Sequence, residues 1–316
     1  MDNYTWYPSI TAPTGIPMRV VDARFLLADG SVMRIPEGKI LCHQWGRPVT
    51  VFILGDSDAF PLPEKLIILY FSYWENCFFE GKLDLPVNEM TEIWNEGVLD
   101  SMRSSKANYE SIVIGVAPEG IIQIWFFGHG VSRSVFLGSL TKSEYAWEKF
   151  IDDPGINRAQ YVTSVLQDKF GKEKFESLKR NRKFLSDWEK RNNKFQWDIH
   201  VVSQLKIETT WIDYINGERE FILWENDFRN FNLRAVPNAL QIRFVTDNGK
   251  RHSMAVEIDP ASFEAALKLF TEKGDADKLF LVVQIPAFKK ETFICLSSDN
   301  FYRQIVVNKA KFYTLG

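Results

Sequence analysis

The chain has 316 residues, 45% of them hydrophobic and 25% charged, with a formal net charge of −3 at pH 7. That length allows one large domain or two ordinary ones, and that apolar content can build a full core. The near balance of charge excludes a chain-wide field directed at nucleic acid or membrane.

In chain order, residues 1–16, with Trp6, Pro8 and Pro13, read as an extended or irregular entry. This start has no basic n-region followed by an apolar h-region, and no apolar run in the chain reaches about 18 residues. A cytoplasmic protein without a membrane span is expected, and a periplasmic lipoprotein only where a leader has been removed. Residues 20–27 and 32–35 flank Asp29-Gly30, a strong hairpin signal. A short strand at 48–54 and a loop at 55–63 follow, then strands at 66–73 and 77–85. Beyond Pro86, residues 87–99 predict a helix whose apolar face holds Val87, Met90, Ile93, Trp94 and Val98. Strands at 111–118 and 121–127 come next.

Residues 141–194 differ in character. Helices are predicted at 142–151, ended by Asp153-Pro154-Gly155, at 157–170, capped by Asn157, and at 173–182. Residues 169–194 carry ten Lys/Arg and four Asp/Glu, which leaves the rest of the chain at −9. We read the basic stretch as a solvated helix face.

Later elements echo the earlier ones. Residues 207–215, Asn216-Gly217 and 220–224 form a second hairpin pattern. Strands at 240–246 and 252–258 precede a helix at 261–272, opened by Asp259-Pro260 and facing inward with Phe263, Ala266, Leu267 and Phe270. Gly274 is its stop, and strands at 279–286 and 292–296 follow. Pro63 and Pro237 stand 174 positions apart, as do Pro86 and Pro260. Same-order elements at one spacing indicate an internal repeat. The expected fold is α+β: two similar modules, each an antiparallel β-sheet with a helix packed on one face. The N-terminal module spans 1–140, a helical connector 141–194 and the C-terminal module 195–316.

The stretches LPEKLIILYFSYWENCFFEGKLDLP (62–86), YESIVIGVAPEGIIQIW (109–125), WEKRNNKFQWDI (188–199) and INGERE (215–220) carry a family resemblance. Over residues 4–225 the chain resembles the bacterial family called domain of unknown function 2931. It departs from that pattern at Glu119, where the family favours glycine, and the lipoprotein-type leader of many members is not expected for it. The resemblance implies no catalytic residue. Members are often encoded near secreted antibacterial toxins, so it implies an immunity protein that neutralises a cognate toxin.

Reactive chemistry finds little support in the residues. His43, His129, His200 and His252 have no metal-ligand spacing, and neither a GxSxG elbow nor a phosphate-binding loop occurs. Cys42, Cys77 and Cys295 lie in apolar settings and are expected to be buried, inert thiols. Glu75, Glu80, Asp84 and Glu89 cluster in sequence but straddle different elements, which predicts solvated edges. The expected protein is a non-enzymatic binder of another protein, with no cofactor and no metal. A scaffold, or a hydrolase with carboxylates in a groove between the modules, is the alternative. Tyr73, Trp74 and Phe78, with Arg180, Arg182, Trp188 and Arg191 of the connector, are the candidate binding residues, since Trp, Tyr and Arg dominate interface energetics when exposed. The competing reading places the aromatics in the core.

Overall fold

The computed structural model describes residues 2–51, 59–103, 105–151, 155–224, 232–285 and 292–315. The chain divides into two compact units, Met1–Glu189 and Lys190–Gly316. The fold is α+β, mostly β-sheet and mainly antiparallel, with five α-helices among the described residues.

The strands of the N-terminal unit are β1 (Tyr7–Thr11), β2 (Met18–Leu27), β3 (Val32–Arg34), β4 (Ile40–Leu41), β5 (Thr50–Val51), β6 (Pro63–Ser72), β7 (Cys77–Asp84), β8 (Val98–Asp100), β9 (Ser105–Ala107), β10 (Ser111–Val116), β11 (Ile121–Gly128), β12 (Val131–Ser139) and β13 (Thr141–Ser143). Its helices are α1 (Val87–Glu96), α2 (Trp147–Phe150), α3 (Arg158–Phe170) and α4 (Lys172–Arg180). Antiparallel strands run in the order β13-β7-β6-β2-β3, with β4 also on β2. A second path runs β12-β11-β10-β1-β5, in which β1 and β10 are parallel.

In the C-terminal unit the strands are β14 (Phe195–Val202), β15 (Lys206–Tyr214), β16 (Arg219–Leu223), β17 (Asn232–Arg234), β18 (Pro237–Val245), β19 (Arg251–Ile258), β20 (Leu279–Gln284), β21 (Phe293–Ser297), β22 (Tyr302–Gln304) and β23 (Val307–Thr314), with one helix, α5 (Pro260–Glu272). Antiparallel strands run β23-β19-β18-β15-β16, and a second sheet runs β17-β14-β20-β21-β22 with β14 and β20 parallel. The pairing order, the parallel pair and the place of the helix match those of the N-terminal unit.

Local chemistry explains the elements that the sequence predicts. In the β2–β3 hairpin, Gly30 takes a φ of 83° and the Asp29 carboxylate accepts the Ser31 N–H at 2.9 Å. The β15–β16 hairpin repeats the device: Gly217 has a φ of 83° and Asn216 Oδ1 accepts the Glu218 N–H at 3.1 Å. Glycine adopts this left-handed conformation without a Cβ penalty. Asp259 caps α5 by accepting the Ser262 N–H at 3.1 Å, and Pro260 occupies the first turn, where its missing N–H costs nothing. Phe263, Ala266, Leu267 and Phe270 then bury one face of α5, each large side chain contributing roughly 1.5–3 kcal/mol.

Several expectations are corrected. The helix at 87–99 ends at Glu96, because Gly97 turns the chain with a φ of 67°, and Val98 joins β8 instead of the helical face. A Cβ at Gly97 would stand 2.5 Å from the Ala107 carbonyl oxygen, so the β8–β9 hairpin needs glycine there. The irregular entry at 1–16 contains β1, whose Ser9, Ile10 and Thr11 are fully buried. Residues 195–202, for which the sequence predicts no strand, form β14. In each unit, therefore, one sheet is mixed, not antiparallel. A parallel partner is distant in the chain and leaves no hairpin signal. The helix at 142–151 shrinks to α2, because residues 141–143 pair with β7 as β13. β4, β9, β12, β17, β22 and β23 have no counterpart among the strands that the sequence predicts. Pro286, residues 52–54 of the strand expected at 48–54, and Asp153-Pro154 lie outside the described residues.

Residues 141–188 pack into the N-terminal unit. Asn157 caps α3 by accepting the Gln160 N–H at 3.1 Å, and Gly171, with a φ of 75°, separates α3 from α4. Phe150, Val162, Leu166, Phe175, Leu185 and Trp188 are buried in the same core as β2, β6 and β7. The compact unit accordingly extends to Glu189.

Candidate functional site

The aromatic side chains singled out as candidate binders lie in the interior. Tyr73, Trp74, Phe78 and Trp188 are each at most 5% exposed. Trp74 stands 5.7 Å from the rings of Phe170 and Phe175 and 5.3 Å from Phe184, and Arg182 donates to its carbonyl oxygen. Arg158 donates to the Asn76 carbonyl oxygen at 2.6 Å and covers the rings of Phe71, Phe78 and Trp147. Trp188 packs edge-on to Trp45 at 5.4 Å. Tyr73, Trp74, Phe78 and Arg182 are thus brought together, and what they join is the α3–α4 segment to the β6–β7 corner of their own unit. Arg180 is exposed and Arg191 half-buried.

Glu75, Glu80 and Asp84 are engaged separately. Glu75 accepts from Ser72 Oγ at 2.6 Å and from the Glu119 N–H at 3.0 Å, Glu80 accepts from Ser143 at 2.9 Å, and Asp84 pairs with Lys65. Burial pushes the Cys77 thiol up to about 11, away from the reactive thiolate. Burial also raises Cys42 and Cys295. His129, with a φ of 49° in the β11–β12 turn, sits 3.4 Å from Asp100 and 3.5 Å from Glu110. Asp100 accepts the Met102 N–H at 2.7 Å, which holds its carboxyl below the usual range and makes this a turn clamp.

A largely buried electrostatic cluster lies in the C-terminal unit. Arg234 grips Glu220 with two bonds of 2.8 Å, donates to the Trp197 carbonyl oxygen at 2.7 Å and lies 3.4 Å from Asp198. Tyr214 donates to Glu220 at 2.5 Å. These bonds tie β14, β15, β16 and β17. Burial alone would raise the Glu220 pKa, but the hydrogen bonds and charge of Arg234, with the Tyr214 hydroxyl, lower it below the ordinary value. Burial pushes Tyr214 well up, reinforced by the charge of Glu220. A carboxylate held this way adds stability that is full above its unfolded pKa of about 4.3 and is lost as pH falls through the lower folded value. Wild-type protein should therefore lose stability below pH about 4.3 more steeply than Glu220→Gln, as read by urea titrations at several pH values; parallel curves would refute this.

The exposed aromatic surface lies elsewhere, on the last two strands. Tyr302 is 65% exposed, and Phe312 and Tyr313 are each 47% exposed. Residues 301–316 hold Arg303, Lys309 and Lys311 and no acidic residue. On β23, Lys309, Lys311 and Tyr313 share the face of their β19 partners Glu257, Ala255 and Ser253. Ala310 and Phe312 share the opposite face, opposite the buried Val256 and Met254. A cavity of about 520 Å³ runs along the first face, lined by Lys309, Lys311 and Tyr313 with Gln241, Glu257 and Arg219. The signal for this strand was available in the sequence, as an alternating run free of acidic residues, but no turn signal set it off.

A family model described as Protein of unknown function (DUF2931) matches residues 1–177. The chain belongs to that family. The DUF2931 match runs from β1 into α4 and includes the stretches at 62–86 and 109–125; those at 188–199 and 215–220 lie beyond it. Glu119 takes a φ of 63°, a conformation that suits glycine. Neither the curated proteins nor the solved structures contain a match to the chain. No helix among the described residues is long and apolar enough to cross a membrane, and among them no group of His, Cys, Asp and Glu is arranged to hold a metal ion.

Proposed function

We propose that this DUF2931 protein is a non-enzymatic binding protein that neutralises a cognate antibacterial toxin, an immunity protein. The observation that carries the binding reading is the exposed aromatic and basic edge strand β23 of the C-terminal unit, with Lys309, Lys311 and Tyr313 on one face and Phe312 on the other, followed in kind by the exposed Tyr302 and Arg303 of β22. Aromatic and arginine side chains supply most binding energy at protein interfaces. The buried Arg234 and Tyr214 and the half-buried Glu220 support it as well, since they bond to one another and hold strands together. The toxin as partner rests on the gene neighbourhoods that the family resemblance implies.

We further propose that the two units descend from one duplicated module, 1–140 and 195–316, with 141–194 added between them. The shared pairing order and the prolines at 63 and 237, and at 86 and 260, support this. The experiment is to co-express the chain with the product of the adjacent gene in a growth assay and purify the pair. Rescue of growth with a stoichiometric complex is expected. Toxicity that persists without a complex would remove the proposal.

A further inference from the structure

β23 is an edge strand: among the described residues it pairs with β19 alone. An edge leaves one row of backbone N–H and C=O groups open to another strand, and proteins commonly blunt such edges by keeping them short or by placing lysines on them. The corresponding edge of the N-terminal unit follows the first course, since β13 has only three residues. β23 has eight residues and bears the half-exposed Phe312 and Tyr313 beside its lysines.

Taking the binding-protein reading as its basis, we infer that β23 receives an extended acidic segment of a partner protein as an added strand. The backbone row supplies the ladder, and alternate side chains supply selectivity. Lys309 already has Glu257 at 3.8 Å, whereas among the described residues Lys311 and Arg303 have no ion-pair partner. Acidic side chains on an added strand would meet Lys311 on one face, and an apolar one would cover Phe312 on the other, at the cross-strand spacing of about 4.5–5.5 Å. A second copy of this chain fits poorly in the central registers, because two β23 strands meeting about a twofold axis at Lys309, Ala310 or Lys311 would oppose lysine to lysine. A nucleic acid could use the charges and rings but would leave the backbone row unpaired.

The test uses the full chain and a fluorescent peptide of alternating glutamate and valine. Fluorescence anisotropy should show salt-sensitive binding, amide exchange at 307–314 should slow on binding, and Lys311→Glu should weaken binding by about tenfold or more. Phe312→Ser, also at an exposed position, should weaken it without a change in salt dependence. Failure of the peptide to bind, or protection outside 307–314, overturns the inference. So does tighter binding of an oligothymidine or of a lysine–valine peptide, or concentration-dependent protection of β23 without peptide. If Lys311→Glu and Phe312→Ser still form the toxin complex as the wild type does, the edge-strand inference fails while the binding-protein reading stands.

Discussion

Arg234→Met is expected to lower the unfolding free energy of the C-terminal unit by about 3–5 kcal/mol, the cost of leaving a buried charge without its partner. The Arg234 side chain is 7% exposed and Asp198 5%. The substitution strips Glu220 of both 2.8 Å bonds and leaves the Trp197 carbonyl oxygen without its donor. The pair is not expected to stabilise relative to a well-packed apolar replacement, since desolvation offsets much of the attraction. A double variant, Arg234→Met with Glu220→Gln, should therefore recover part of the loss. Urea unfolding of single and double variants measures this. A single variant that loses less than about 1 kcal/mol would show the cluster to be solvated and its partners interchangeable with water.

Trp74→Ala should cost about 3–5 kcal/mol, the range for emptying a large aromatic site in a packed core. Its ring touches Phe170 of α3, Phe175 of α4 and Phe184 beyond them, so the cavity opens where the helical segment meets the β6–β7 corner. The loss should appear locally as well: amide exchange in α3 and α4 should accelerate ahead of that in β6 and β10, because these short helices depend on tertiary packing. A variant of unchanged stability that fails to bind the partner would return Trp74 to the role of a surface contact. Uniform acceleration across the unit would mean that the segment has no separate opening.

Hairpins and helix caps were legible from single residues. Asp29-Gly30, Asn216-Gly217, Asn157 and Asp259-Pro260 act over two or three positions, and each does so in the structure. The candidate binding residues were not legible in the same way. Tyr73, Trp74 and Phe78 have the same composition whether they face a partner or a helix of their own chain, and only the packing of α3 and α4 decides between the two. Strands β1 and β14 were missed for a related reason: each is parallel to a strand about 80 residues or more further on, with nothing local to mark it.

By itself the sequence determined what depends on backbone propensity and short spacing: the Asp-Gly and Asn-Gly turns, the caps of α3 and α5, and the inward face of α5. Tertiary structure alone decided which aromatic groups are covered, which ionisable groups meet, and which strand is left at an edge. The reason is range. A cap or a turn is settled by atoms a few bonds away, whereas burial and charge pairing depend on which distant segments share a core, and those contacts carry most of the free energy of folding.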